Sequence, residues 1–342
     1  MRRLVLALTL LATPALAADS GWHQLEVAET GQRVWQYVPY SVTEPAPAVV
    51  FLHGAGSTPE AWRFLLQPVA EAAGAVLLLP KSESDLGWGP GRDRETILGA
   101  LELAAEAVAL DPFRISVAGH SSGGAYAMVL TYASRSRFAG VLALGAPYRT
   151  ILEVADPVYT APLRLVYGDQ DPNYYGPTFA ALAEMLERLG APWTLEILPG
   201  SGHGDVSAEA LASGFNFLLE QRYPGLCVAN RQALCLQEGR FRVTGTWTTA
   251  SGSGPARAVP GESRDAGLFW FFGPDNWEVQ VKVLRGCMIN QHYWVFLAAS
   301  TDVEYTITVE DLEAGMSREY GNALGEAARA IRDVRAFPCG GG

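Results

Sequence analysis

Gly119-His120-Ser121-Ser122-Gly123 follows the apolar run Ile115 to Ala118 and precedes the helix-like stretch Ala125 to Ala133. A serine hydroxyl is a poor nucleophile unless the backbone thrusts it toward a base, and a strained strand-to-helix turn does this. Such a nucleophile elbow needs small neighbours, which Gly119 and Gly123 supply. The N-terminus of the following helix then points N–H groups at developing negative charge. Glycine-rich turns of this wording also occur without chemistry, so the reading gains its weight from the surrounding segments. Upstream, Val49 to Leu52 is an apolar strand that runs into His53-Gly54-Ala55-Gly56. A glycine-rich turn there suits an oxyanion hole, with Ala55 and Ser122 as the backbone N–H donors. Downstream, Leu163 to Tyr167 ends in Gly168-Asp169-Gln170-Asp171-Pro172, and Leu195 to Leu198 leads to Gly200-Ser201-Gly202-His203-Gly204. The chain order Ser, Asp, His is expected when each group hangs from the carboxyl end of a parallel strand.

The base is chosen by elimination among five histidines. His53 and His120 belong to the two motifs already placed, His23 lies near the start, and His292 is far downstream in a different kind of sequence. His203 remains, in a glycine-rich loop after the strand that follows the acid. For the acid, Asp169 and Asp171 both stand at the strand end. Asp171 is preferred, because Pro172 fixes a turn behind it and the extra residues from Gly168 give the loop room to bend a carboxylate under the imidazole. The chemistry is then two-step acyl transfer: Ser121 attacks, His203 takes its proton, Asp171 holds the imidazole, and water completes the cycle. That scheme draws on no metal and no organic cofactor.

These motifs carry a resemblance. Leu52-His53-Gly54-Ala55-Gly56, the segment Asp111 to Gly124 and Gly202-His203-Gly204 make residues 45–221 similar to the α/β-hydrolase superfamily. Within it they are most similar to secreted esterases of the polyhydroxybutyrate depolymerase and feruloyl esterase type. The resemblance implies a small-molecule or polymeric ester as substrate. The same frame also serves lipases, dienelactone hydrolases, acyltransferases and some serine peptidases, so the superfamily is the more specific part of the match.

The elements that must position these groups alternate. Strands are predicted at Trp35 to Val38, Val49 to Leu52, Val76 to Leu79, Ile115 to Ala118, Val141 to Leu144, Leu163 to Val166 and Leu195 to Leu198. Helices fall between them. One begins at Pro59 after Ser57 or Thr58 as N-cap and runs to Ala73, with Gly74 as its stop. Others run from about Thr96 to Ala109 and from Thr178 to Leu189. This predicts a doubly wound, mostly parallel sheet covered on both faces. Trp88, Tyr148, Tyr174 and Tyr175 lie near loop ends on the same side, where they either line a pocket or pack the loops.

Residues 1–17 read as a secretory signal: Arg2 and Arg3, apolar Leu4 to Leu11, then Ala15-Leu16-Ala17 before Ala18. The apolar core is too short to span a membrane, so the expectation is a secreted or periplasmic protein with no membrane span. The formal net charge is -11, and loss of Arg2 and Arg3 takes it to -13. With no Lys/Arg cluster to neutralise phosphates, nucleic acid is excluded as a partner, and a polyanionic substrate is disfavoured.

After residues 18–223, the predicted catalytic unit, the text changes at Pro224-Gly225. Phe241 to Thr244, Leu268 to Phe272, Val279 to Val283, Tyr293 to Leu297 and Val303 to Val309 alternate apolar and polar with period two. Residues 224–342 are therefore expected to form a small antiparallel β-sandwich. Its wording resembles a module appended to many secreted bacterial proteins. All four cysteines, Cys227, Cys235, Cys287 and Cys339, fall here, which in an oxidising compartment reads as two disulfides. Three pairings are open. Cys235 with Cys287 and Cys227 with Cys339 is preferred, to link the edges and close the C-terminal end. Zinc fails on spacing, since no C-x2-C or paired histidine accompanies them. Trp247, Trp270, Trp277 and Trp294 offer a platform for a carbohydrate or polymer, but most of them are expected in the core because they fall inside or beside strands.

Three functions remain open at this point: a serine esterase; a serine peptidase of the same fold, disfavoured by the short segment before the first core strand; and a noncatalytic adhesion or binding protein on the same scaffold, disfavoured by the retained Ser, His, Asp and oxyanion loop.

Overall fold

The computed structural model describes residues 19–133, 138–149, 152, 155, 159–175, 177–259 and 263–340. The predicted signal at 1–17 lies outside them.

The first half is built on an eight-stranded sheet: β1 (Gly21–Val27), β2 (Gln32–Val38), β3 (Ala46–Leu52), β4 (Val76–Pro80), β5 (Leu110–His120), β6 (Val141–Leu144), β7 (Leu163–Gly168) and β8 (Trp193–Leu198). Their order is β1-β2-β4-β3-β5-β6-β7-β8. β1 and β2 form an antiparallel hairpin, β2 meets β4 antiparallel, and every pair from β4 to β8 is parallel. All seven predicted strands are present. β1 was not predicted; it joins the edge through the hairpin. Strands β3, β4 and β6 are buried at every position, as a sheet covered on both faces requires.

The helices are α1 (Pro59–Ala73), α2 (Arg92–Ala107), α3 (Ser122–Met128), the short α4 (Pro172–Tyr175), α5 (Pro177–Leu189) and α6 (Ala208–Leu219). On one face, Leu66, Val69 and Ala70 of α1 and Leu211, Phe215 and Leu218 of α6 pack with Val49, Phe51, Leu77 and Leu142. On the other, Ile97, Ala100 and Ala104 of α2, Tyr126 and Met128 of α3, and Leu182, Met185 and Leu186 of α5 pack with Val50, Leu52, Val117, Leu163 and Leu165. α1 keeps its predicted bounds and ends on Gly74 in the left-handed region (φ 60°). Its N-cap is Thr58, extended, but the side chain makes no capping hydrogen bond. Ser207 does cap α6, accepting from Ala210 N–H at 3.1 Å.

The C-terminal region holds β9 (Ala233–Leu236), β10 (Phe241–Thr249), β11 (Gly252–Pro255), β12 (Arg257–Val259), β13 (Ala266–Trp270), β14 (Trp277–Gly286), α7 (Cys287–Asn290), β15 (His292–Ala299), β16 (Glu304–Asp311), β17 (Met316–Asn322) and β18 (Ile331–Pro338). One sheet runs β11-β10-β16-β17 with β9 also on β10; the other runs β12-β13-β14-β15-β18; both are antiparallel. They share one core of Phe241, Val243, Phe269, Val281, Val295, Ile307, Val309 and Phe337, which is the expected sandwich.

Two expectations here are corrected. The disulfides are Cys227–Cys235 and Cys287–Cys339. Cys227 is tied across a local loop to β9, while α7 at the end of β14 meets the chain just after β18. β15 pairs with both β14 and β18, so it brings those two ends together. None of the four tryptophans is fully buried: Trp247 is half-buried against the sandwich core, Trp270 and Trp294 are half-buried and Trp277 is 56% exposed. Period two explains this, because Trp270 and Trp294 alternate with the buried Phe269 and with the buried Tyr293 and Val295.

Arg231 ties this region to the first half. Its side chain is 7% exposed and reaches Glu29 at 2.5 Å, Glu95 at 3.2 Å and Glu102 at 3.7 Å.

Candidate active site

The expected groups gather at the carboxyl ends of β3, β5, β7 and β8, along one end of the parallel part of the sheet. Ser121 sits between β5 and α3 with φ 52° and ψ -120°, a left-handed conformation that a non-glycine residue adopts at a cost of about 1–3 kcal/mol. The flanking glycines are required by contact. A Cβ on Gly119 would lie 2.4 Å from the Gly123 carbonyl carbon, and one on Gly123 would lie 2.1 Å from the Leu52 oxygen. The elbow is thus pressed against the strand that leads into the oxyanion loop.

His203 Nε2 lies 2.9 Å from Ser121 Oγ, and His203 Nδ1 lies 2.9 Å from Asp171 Oδ2. A carboxylate can only accept, so Nδ1 carries the proton and Nε2 is left to accept from the serine hydroxyl. Asp171 is 1% exposed, and its second oxygen accepts the Asn173 backbone N–H at 2.9 Å. Both oxygens are therefore engaged. Asp169, the alternative acid, does not reach His203, and its Oδ1 is buried without a partner.

His53 holds the oxyanion loop from beneath. Its Nε2 accepts the Ser82 N–H at 3.2 Å, so its Nδ1 donates to the Gly54 carbonyl at 2.8 Å. Ser57 N–H donates to the same carbonyl at 3.1 Å. C=O and N–H of one trans peptide point opposite ways, so fixing the Gly54 carbonyl turns the Ala55 N–H away from His53. Burial lowers the His53 pKa, and nearby Lys81 adds to this, keeping the ring neutral. Ser122 opens α3, where a first-turn N–H has no acceptor within its own helix. Both expected donors thus come from positions suited to the role.

Two contributors, Gly145 and Asn173, were not singled out from the sequence. Gly145, at the end of β6, has φ 56°, and a Cβ there would lie 2.8 Å from Asp171 Oδ2 and 3.1 Å from His203 Nδ1. Asn173 Nδ2 donates to the Gly145 carbonyl at 2.9 Å, closing the turn that carries Asp171. A glycine after a β6-like strand and an Asx turn after the acid were the available hints. The aromatic expectations divide. Trp88 is buried, donates to the His53 carbonyl at 2.7 Å and packs behind the oxyanion loop. Tyr174 packs on Tyr167 and Phe179, Tyr148 is half-buried, and Tyr175 is 68% exposed.

Residues 49–181 match the model of the alpha/beta hydrolase family. Among solved structures the chain is similar to an S-formylglutathione hydrolase from Staphylococcus aureus, with 14% identity over 60% of this chain and 100% of the other and a TM-score of 0.47. It is also similar to Est1E from Butyrivibrio proteoclasticus, with 18% identity over 59% and 98% and a TM-score of 0.47. A dienelactone hydrolase from Anabaena variabilis gives 21% identity over 59% and 95% and a TM-score of 0.47. No curated protein matches the chain. The fold is that of an α/β hydrolase, followed by two antiparallel sheets bearing two disulfides.

Proposed function

We propose that the protein is an exported serine esterase that works through Ser121, His203 and Asp171. The observation that carries this reading is the continuous chain Ser121 Oγ–His203 Nε2 and His203 Nδ1–Asp171 Oδ2, 2.9 Å at each link. Ser121 Oγ attacks the ester carbonyl carbon as its proton passes to His203 Nε2. Asp171 stabilises the imidazolium, and the oxyanion takes hydrogen bonds from the Ala55 and Ser122 N–H groups. Collapse returns the proton to the departing alkoxide. Water then attacks the acyl-enzyme, with His203 as base, and releases the acid.

The wording of the elbow and histidine loop supports a carboxylic ester, of the feruloyl or hydroxyalkanoate kind, as substrate. Residues 1–17 would direct export; two disulfides, and the lack among the described residues of a helix long and apolar enough to cross a membrane, fit that destination. Residues 18–223 would form the catalytic unit and residues 224–342 an accessory one, whose exposed Trp277 and Phe272 suit contact with a polymer.

The test is intact-protein mass spectrometry after incubation with a small fluorophosphonate, with peptide mapping, beside ester hydrolysis by Ser121→Ala. A single adduct on Ser121 and a loss of about a thousandfold or more are expected. An unlabelled folded protein, or only a few-fold loss in the variant, would overturn the reading.

A further inference from the structure

The acyl-transfer scheme leaves His120 without a task. It precedes Ser121 at the end of β5, and its ring is turned toward the histidine loop. His120 Nε2 lies 2.8 Å from the backbone oxygen of His203. The two imidazole centroids are 5.0 Å apart. Trp62 of α1 packs 5.3 Å from the His120 ring and is itself tethered to Ser57 Oγ at 3.2 Å. A Cβ on Gly54 would lie 3.1 Å from His120 Nδ1. One side chain therefore touches the elbow, the oxyanion loop and the loop that carries the base.

We propose that His120 is a positioning residue for His203, gripping both its backbone carbonyl and its ring so that Nε2 meets Ser121 while Nδ1 meets Asp171. The inference rests on the serine-esterase reading above. His203 stands between Gly202 and Gly204, and its side chain is 34% exposed, so its own loop offers little to fix the ring. Misplacing a reacting group by about 1 Å can cost about a hundredfold in rate.

The grip has a required protonation state. A carbonyl only accepts, so His120 Nε2 must carry the proton. Burial lowers the pKa of His120 and the charge of His203 lowers it further, against the opposing His203 carbonyl bond and Asp171. A neutral ring can stay beside His203 when His203 becomes a cation in the transition state; a second cation there would oppose that step.

The experiment compares His120→Gln, which keeps an amide donor, with His120→Phe, which keeps a ring and removes the donor. His120→Leu replaces the Phe variant if circular dichroism shows that it does not fold. Two readouts are taken: kcat and KM on a p-nitrophenyl ester, and the low-field proton resonance of the His203 Nδ1–H bond to Asp171. His120→Phe is expected to lower kcat about 10- to 100-fold with KM little changed, and to broaden or erase that resonance. His120→Gln should restore most of both. Wild-type kcat or an intact resonance in the donor-less variant, or a Gln variant no better than it, would overturn the proposal. Ser121→Ala run alongside separates the two readings: it should lose activity yet keep the resonance. If it kept full activity, the esterase scheme would fall, and the resonance would still decide whether His120 holds His203.

Discussion

The α-carbon of Gly168, at the end of β7, faces the backbone of Ser201 so closely that a Cβ would lie 2.0 Å from the Ser201 oxygen. Beside it, Gln170 N–H donates to that same oxygen at 2.9 Å. The acid turn and the histidine loop are therefore locked backbone to backbone. Gly168→Ala must push them apart, at a cost of about 2–4 kcal/mol in stability for a core clash of this kind. Activity should fall at least as far as in Asp171→Asn. Thermal melts and p-nitrophenyl ester turnover check both; an active, wild-type-stable alanine variant would contradict the packing.

The two aspartates are expected to separate cleanly. Asp171→Asn should lower kcat about 10³- to 10⁴-fold, because the amide cannot hold the imidazole in the required tautomer. Asp169→Asn, at a residue not in contact with His203, should stay within about tenfold of wild type. Equal activity in the two variants would leave the acid unassigned.

His53 makes stability depend on pH. Its folded pKa lies below the ordinary 6.5 because it is buried. The unfolded chain therefore binds the proton more readily, and stability present above about pH 6.5 is lost as pH falls toward the folded pKa. Carboxylates held low, such as Glu29 and Glu60, begin to add their own loss only below their ordinary 4.5. Thermal midpoints should thus decline from about pH 7 to about pH 5, and decline less in His53→Asn. Parallel slopes for the two proteins would remove His53 as a cause.

Arg231→Met removes the central cation from three carboxylates, leaving Arg257 3.9 Å from Glu102 and Arg94 3.8 Å from Glu95. Glu29 and Glu95 are 39% and 40% exposed, so solvent screens part of the loss. About 2–3 kcal/mol is expected, below the ~3–5 of a fully buried pair. Urea unfolding measures it; a change under about 0.5 kcal/mol would show that this contact is only a surface pair.

The disulfides should differ in weight. Cys227–Cys235 closes a separation of 8 residues and Cys287–Cys339 one of 52. Loop-closure entropy assigns about 2.5 kcal/mol to the first and about 4 to the second. Paired Cys→Ala variants, melted under identical conditions, should rank in that order.

Much of the first half was legible in the sequence because its signals are local. Short segments rich in apolar residues marked the strands, and all seven became strands of the sheet, β2 antiparallel and the other six parallel. Pro59 and Gly74 bound α1 through their own backbone preferences. Glycines around Ser121 marked a turn that no larger residue could make. Which aspartate meets His203, the contacts of Gly145 and Asn173, the cysteine pairing and the partial exposure of the tryptophans follow from tertiary structure. Each depends on which segments lie side by side. Asp171 is defined by a histidine 32 residues away, and Cys287 finds Cys339 because β15 pairs with both neighbouring strands. The order of residues states local conformational preference, whereas the meeting of distant loops follows from strand order and packing, which a single chain of letters leaves implicit.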